Sequence, residues 1–199
     1  LQVPVVMVRT YGAFHRDPLY NGLQVRKAKV YADVEYILSP EDIRNKRSEE
    51  LNEILKKHFT FDHFRWQQEN GIRVCEKFRA DGLNRVLYKC PHCQTEGQML
   101  GKGTRLSCKS CHKEYELTED GFMQAVDGET EICHIPDWYQ WERDCVRKEL
   151  EEGAYHLDIP VDIYMMVNTD CVYKVGDGRL CHSVNGFSLT GCEGKLNYS

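Results

Sequence analysis

CPHCQTEGQMLGKGTRLSCKSC, residues 90–111, carries two Cys-x-x-Cys turns separated by fourteen residues. Each turn lets two sulfurs face one point while neighbouring backbone amides stabilise their charge. A hairpin between the turns completes a tetrahedral shell of four thiolates, the donor set of a structural zinc site. Cys90, Cys93, Cys108 and Cys111 are therefore the expected ligands of one Zn2+ ion. With all four positions taken by protein, no place is left for water or substrate, so the metal is expected to be structural. A thioredoxin-like redox pair would open a helix after a strand, and neither turn has that context. His92 and His112 flank the turns and are the alternative ligands.

Around this site the chain reads as a ribbon. Short strands between Leu87 and Val126 are separated by turns at Gly101-Lys102-Gly103 and Glu119-Asp120-Gly121. Pro136 to Glu152 is a helix closed by Gly153, with Trp138, Trp141 and Cys145 on one stripe. From Tyr155 onward the pattern is β, with strands near 157–167, 171–175, 179–182 and 187–190. Gly176-Asp177-Gly178 and Asn185-Gly186 are the expected turns.

Upstream, Val3–Val8 is an apolar, mostly β-branched run that predicts a strand buried on both faces. Gly12–Gly22 is loop-like. Val25–Leu38 alternates, with Val30, Ala32, Val34, Tyr36 and Leu38 on the expected inner face. Ser39-Pro40-Glu41-Asp42 predicts a helix start with Ser39 as N-cap, and Ser48-Glu49-Glu50 repeats the signal. Leu51, Ile54, Leu55 and Phe59 follow at helical spacing, with Lys56, Lys57 and His58 in the last turn. A short aromatic helix over 61–69 stops at Asn70-Gly71.

The 199 residues carry a formal net charge of −5, which argues against a surface built to track a phosphate backbone. No run reaches the ~18 apolar residues of a membrane span, and Val3–Val8 is too short for a signal-peptide core. The expected compartment is the cytoplasm, with the ten cysteines mostly reduced. Cys75, Cys133, Cys145, Cys171, Cys181 and Cys192 lack ligand spacing and are expected to be buried small hydrophobes. Arg26, Lys27 and Lys29 read as a solvated strand face. His58 reads as a helix-end residue rather than half of a dyad with Asp62 or His63, and His134-Ile-Pro-Asp137 as a helix start. No G-x-S-x-G, P-loop or dinucleotide fingerprint is present.

Two features resemble the C-terminal part of bacterial lysophosphatidate acyltransferase-type domains. Val3-Pro4-Val5-Val6-Met7-Val8 is similar to that family's last apolar, Pro-led block. Val25–Leu38, running into Ser39-Pro40-Glu41-Asp42-Ile43 and Ser48-Glu49-Glu50-Leu51, is similar to the segment after it. The stretch from Arg79 through the ribbon, the His134-Ile-Pro-Asp-Trp helix and the β tail resembles an extension carried by some of these proteins. The resemblance implies a parent in phospholipid biosynthesis, moving an acyl group from a thioester carrier to a glycerolipid such as lysophosphatidate. Pro4, Val5 and Val6 would then help shape a substrate pocket. The family's H-x-x-x-x-D motif is absent, because none of the eight histidines has Asp five residues later. The resemblance thus implies a catalytically silent C-terminal piece beginning at Leu1, with no catalytic residue of its own. It also implies contact with the inner face of the membrane.

The expected fold class is α+β in three parts. Residues 1–78 form the end of an α/β acyltransferase-like domain, 79–127 the zinc ribbon, and 128–199 a helix leading into a small antiparallel β domain. The alternative is a zinc-ribbon module that binds protein or nucleic acid without catalysis, for which Arg85, Lys89, Lys102, Arg105, Lys109 and Lys113 supply a local positive excess. A third reading is a brace or dimerisation element.

Overall fold

The computed structural model describes residues 3–22 and 24–199; Leu1 and Gln2, where the first expected segment starts, and Leu23 lie outside the described residues. The chain is mixed α+β, its sheets are antiparallel, and it divides into two compact units, Leu1–Glu142 and Arg143–Ser199.

In the first unit β1 (Val5–Tyr11) pairs antiparallel with β2 (Tyr31–Leu38), matching Val6 with Tyr36 and Val8 with Val34. Both expectations about burial are corrected here. Val6 and Val8 are 55% and 61% exposed, and Val34 on the expected inner face of β2 is 73% exposed. A two-stranded pair has two faces, and only the other one is backed. There Arg9 donates to the His58 carbonyl at 2.9 Å, and His58 Nδ1 lies 3.1 Å from Glu35. Only Leu38 of the expected inner set is buried. β2 also begins later than Val25, because the chain before it is pinned by Arg26, whose amide donates to the Arg16 carbonyl.

The loop over 12–22 contains two short helical turns, α1 (Ala13–Arg16) and a 3-10 turn over Leu19–Asn21. α2 (Pro40–Asn45) starts as expected: the Asp42 amide donates to Ser39 Oγ, and Asp42 accepts from the Ser39 amide. α3 (Ser48–Phe59) starts one residue earlier in register than the sequence suggests. Arg47 is its N-cap, its amide donating to Glu50 Oε2. α4 (His63–Glu69) is capped by Asp62, which accepts from the Arg65 amide.

A four-stranded sheet follows, β3 (Met99–Lys102), β4 (Arg105–Cys108), β5 (Glu114–Leu117) and β6 (Met123–Ala125), in that order. Alternate residues point inward, so Met99, Leu106, Tyr115, Leu117 and Met123 are buried. They share one core with Leu83 and Leu87, with Tyr20 and Phe64 from the N-terminal segment, and with Trp138 on α5 (Ile135–Glu151). Burying an aromatic side chain of that size contributes about 3 kcal/mol.

The second unit carries β7 (His156–Met166), β8 (Val172–Ser183), β9 (Gly186–Gly191) and β10 (Leu196–Tyr198), in the spatial order β10-β9-β8-β7. The two strands expected over 171–182 are one. Gly176-Asp177-Gly178 is no turn but the place where the β7–β8 register shifts. The glycines answer to packing: a Cβ on Gly178 would sit 2.5 Å from Ile163 Cδ1, and one on Gly176 would sit 3.0 Å from Cys192 Sγ.

The six remaining cysteines are not core residues. Cys75, Cys133 and Cys171 are exposed, and Cys145, Cys181 and Cys192 are half-buried. Among the described residues no helix is long and apolar enough to cross a membrane.

Candidate metal centre

The β3–β4 hairpin carries Cys108 to a place opposite Met99, and the two Cys-x-x-Cys turns close on one point. All four sulfurs lie within 4.8 Å of one another, with Cys90–Cys111 and Cys93–Cys108 each at 3.7 Å. A tetrahedron with metal–sulfur bonds of ~2.3 Å spaces its sulfurs by about 3.8 Å, so the donor set fits a four-thiolate metal ion.

The two turns are built alike. The Cys90 amide donates to the Thr95 carbonyl and the Gln94 amide to the Cys90 carbonyl; Cys108, Lys113 and His112 repeat both bonds at the same offsets. Amides then point at sulfur. Those of His92 and Cys93 bond Cys90, that of Thr95 bonds Cys93, and that of Lys113 bonds Cys111. Burial pushes the Cys90 and Cys111 thiols up. The Thr95 hydroxyl, 3.4 Å from Cys93 Sγ, leads the groups that pull that thiol down to about 6. Four sulfurs this close do not all ionise without a cation, and a bound metal removes that obstacle.

His92 and His112 stay outside the cluster. His92 Nδ1 lies 2.8 Å from Glu131, and His112 is exposed. The remaining site expectations are not brought together with the cysteines. Pro4 and Val6 are exposed and Val5 is half-buried, at the start of β1. His134 Nε2 lies 2.7 Å from Asp62 Oδ2, which ties the start of α5 to the start of α4. Arg26 is not a solvated residue. It is buried, and its guanidinium donates to Asn21 Oδ1, to the Tyr20 hydroxyl and to the Arg79 carbonyl.

No family model, no curated protein and no solved structure matches this chain.

Sequence reasoning missed the groups that hold the first turn. Trp138 Nε1 donates to the Lys89 carbonyl at 3.0 Å, and the Lys89 amide donates to Glu142 Oε1 at 2.8 Å. Both side chains are fully buried, and burial raises the Glu142 carboxyl to about 7. Tyr115 packs edge-on against Trp138 at 5.0 Å and donates its hydroxyl to Glu131. A signal was available, since Glu142 follows Trp138 by one helical turn and puts a carboxylate on the apolar stripe. Three of the six cations around the site are answered by acids: Lys89 pairs with Glu96, Arg105 with Glu114, and Lys113 with Glu131.

Proposed function

We propose that Cys90, Cys93, Cys108 and Cys111 hold one structural Zn2+ ion in a zinc ribbon, and that the chain serves as a non-catalytic accessory region organised by that metal. The closed set of four sulfurs within 4.8 Å carries this reading. All-thiolate tetrahedral sites select zinc or iron, and the hydrogen-bonded turns leave no open coordination position. Metal analysis of protein purified without chelator is expected to give one zinc per chain, lost in Cys90→Ser together with the folded core. Absence of metal, or iron in its place, would overturn the assignment.

The parent activity we propose is acyl transfer from a thioester carrier to a glycerolipid, with contact to the cytoplasmic membrane face. It is supported by the Pro-led run Val3–Val8 and by Ser39-Pro40-Glu41-Asp42 following the strand at Leu38. Acyl transfer to lysophosphatidate is expected from a polypeptide that joins this chain to an H-x-x-x-x-D-bearing domain, and not from the chain by itself. Transfer by neither leaves only the accessory reading. A nucleic-acid role is disfavoured by the ion pairs of Lys89, Arg105 and Lys113 and by the net charge of −5.

A further inference from the structure

A cleft of about 510 Å³ opens in the first unit, a volume in the range of small-molecule sites. Its walls are the rings of Phe14, Tyr20, Phe61, Phe64 and Tyr139, with Leu83, Val86 and Ile135 between them. The rings brace one another: Phe14 meets Phe64 edge-on at 5.5 Å and stacks on His63 at 5.2 Å, while Phe61 meets His63 at 4.8 Å. The wall is therefore fixed before any ligand arrives, which lowers the ordering cost of binding.

The charged groups lining the cleft are of one sign, beside the neutral polar groups of Thr60, His63, Tyr20 and Tyr139. Asp17 and Asp62 line it, and no Lys or Arg does. Asp62 is held by His134 and by the Arg65 amide. Asp17 is exposed at the mouth and has no ion pair among the described residues. His63 Nδ1 is buried without a hydrogen-bond partner, and burial lowers the His63 pKa, which keeps the ring neutral. Phosphates and carboxylates find no counter-charge here. A cation finds a carboxylate at the rim, and its apolar tail finds aromatic rings inside.

We propose that this cleft binds a small apolar organic cation, an amine or quaternary ammonium with a short aliphatic or aromatic tail, with the tail among Phe14, Phe64 and Ile135 and the charge toward Asp17. The site is separate from the four cysteines and does not depend on which metal they hold.

The test uses the full metal-loaded chain and three probes of equal tail length, hexyltrimethylammonium, hexanoate and hexanol, titrated by calorimetry. The ammonium is expected to bind at least tenfold more tightly than either of the others. Leu19, 86% exposed at the rim, can be replaced without touching the core, and Leu19→Lys is expected to weaken ammonium binding at least fivefold. Asp17→Asn is expected to narrow the difference between ammonium and hexanoate. Equal affinity for all three probes, no binding of the ammonium, or unchanged binding in Leu19→Lys would each overturn the proposal.

Discussion

Trp138 reaches from α5 to the carbonyl of Lys89, the residue immediately before Cys90, while Glu142 one turn further on takes the Lys89 amide. Both polar atoms of one peptide residue are thus held by a single helix face. The sulfur of Cys90 is oriented by that backbone, so α5 sets the geometry of the metal site without touching the metal. Trp138→Phe keeps most of the packing and loses the hydrogen bond, for an expected loss of about 1–3 kcal/mol in denaturant unfolding. Glu142→Ala leaves the Lys89 amide without its buried partner. Groups that orient metal ligands typically affect affinity by about 10–100-fold. Competition with a chromophoric chelator should therefore show zinc affinity down by at least tenfold in Glu142→Ala, with one zinc per chain still bound at saturation.

Gln94 and His112 occupy matching positions just after the second cysteine of each turn, and both are left-handed, with φ of 60° and 63°. A side chain there costs about 1–2 kcal/mol, and glycine escapes the penalty at a loss of about 0.5–1 kcal/mol in chain entropy. Gln94→Gly and His112→Gly are each expected to raise the stability of the zinc-bound protein by about 0.5–1 kcal/mol. His112→Gly should also keep one zinc per chain. A drop in stoichiometry would make His112 a ligand after all.

The cysteine cluster was legible because spacing alone states its geometry: two short turns and a hairpin can place four sulfurs in only a few ways. The capping of α2 was legible for the same reason, since Ser39 and Asp42 act within three residues of each other. What failed depended on distant partners. The alternation in β2 is present, but the side that faces inward is chosen by α3 and by the pairs of Glu35 and Arg9, which no local pattern encodes. Gly176 and Gly178 look like a turn because glycine permits one. Their actual task is to let Ile163 and Cys192 lie against the strand, a matter of residues more than ten positions away. The Trp138–Lys89–Glu142 clamp spans about fifty residues and was hidden on a stripe read only for its apolar members.

Arg26 shows the same limit and supports a test. In sequence it sits in a run with Lys27 and Lys29 that looks solvated, yet it is buried and bound to Asn21, Tyr20 and the Arg79 carbonyl. Asn21 in turn donates to the carbonyls of Phe78 and Asp81, so this node fastens the N-terminal segment to the chain leading into the cysteine-bearing sheet. Arg26→Ala is expected to cost about 3–5 kcal/mol, much of it from partners left unsatisfied in a dry site. Lys27→Ala and Lys29→Ala are expected to stay within about 0.5 kcal/mol of the parent. Equilibrium unfolding of the three variants side by side decides it; equal, small effects would mean that Arg26 is solvated in solution.

His15 supplies a loss of stability on the acid side. It is enclosed between Phe14, Phe64 and Trp66, with the Gln67 side chain as a polar neighbour that offsets only part of the cost of burial. Burial, helped by the nearby His63 and Arg26, lowers its pKa from 6.5 to about 4. The folded chain therefore resists protonating a ring that the unfolded chain protonates readily. Above pH 6.5 His15 is neutral in both states and adds no pH dependence. As pH falls from 6.5 toward 4 the unfolded state takes up the proton first, and stability drops by up to about 3 kcal/mol. His15→Phe keeps an aromatic ring in the same cage and removes the titration. Because acid also releases metal from the cysteines, the quantity to measure is the difference in unfolding free energy between His15→Phe and the parent at pH 7.5 and pH 5. That difference is expected to move in favour of the variant by at least 1 kcal/mol on going to pH 5; a constant difference would show that His15 reaches solvent and titrates normally.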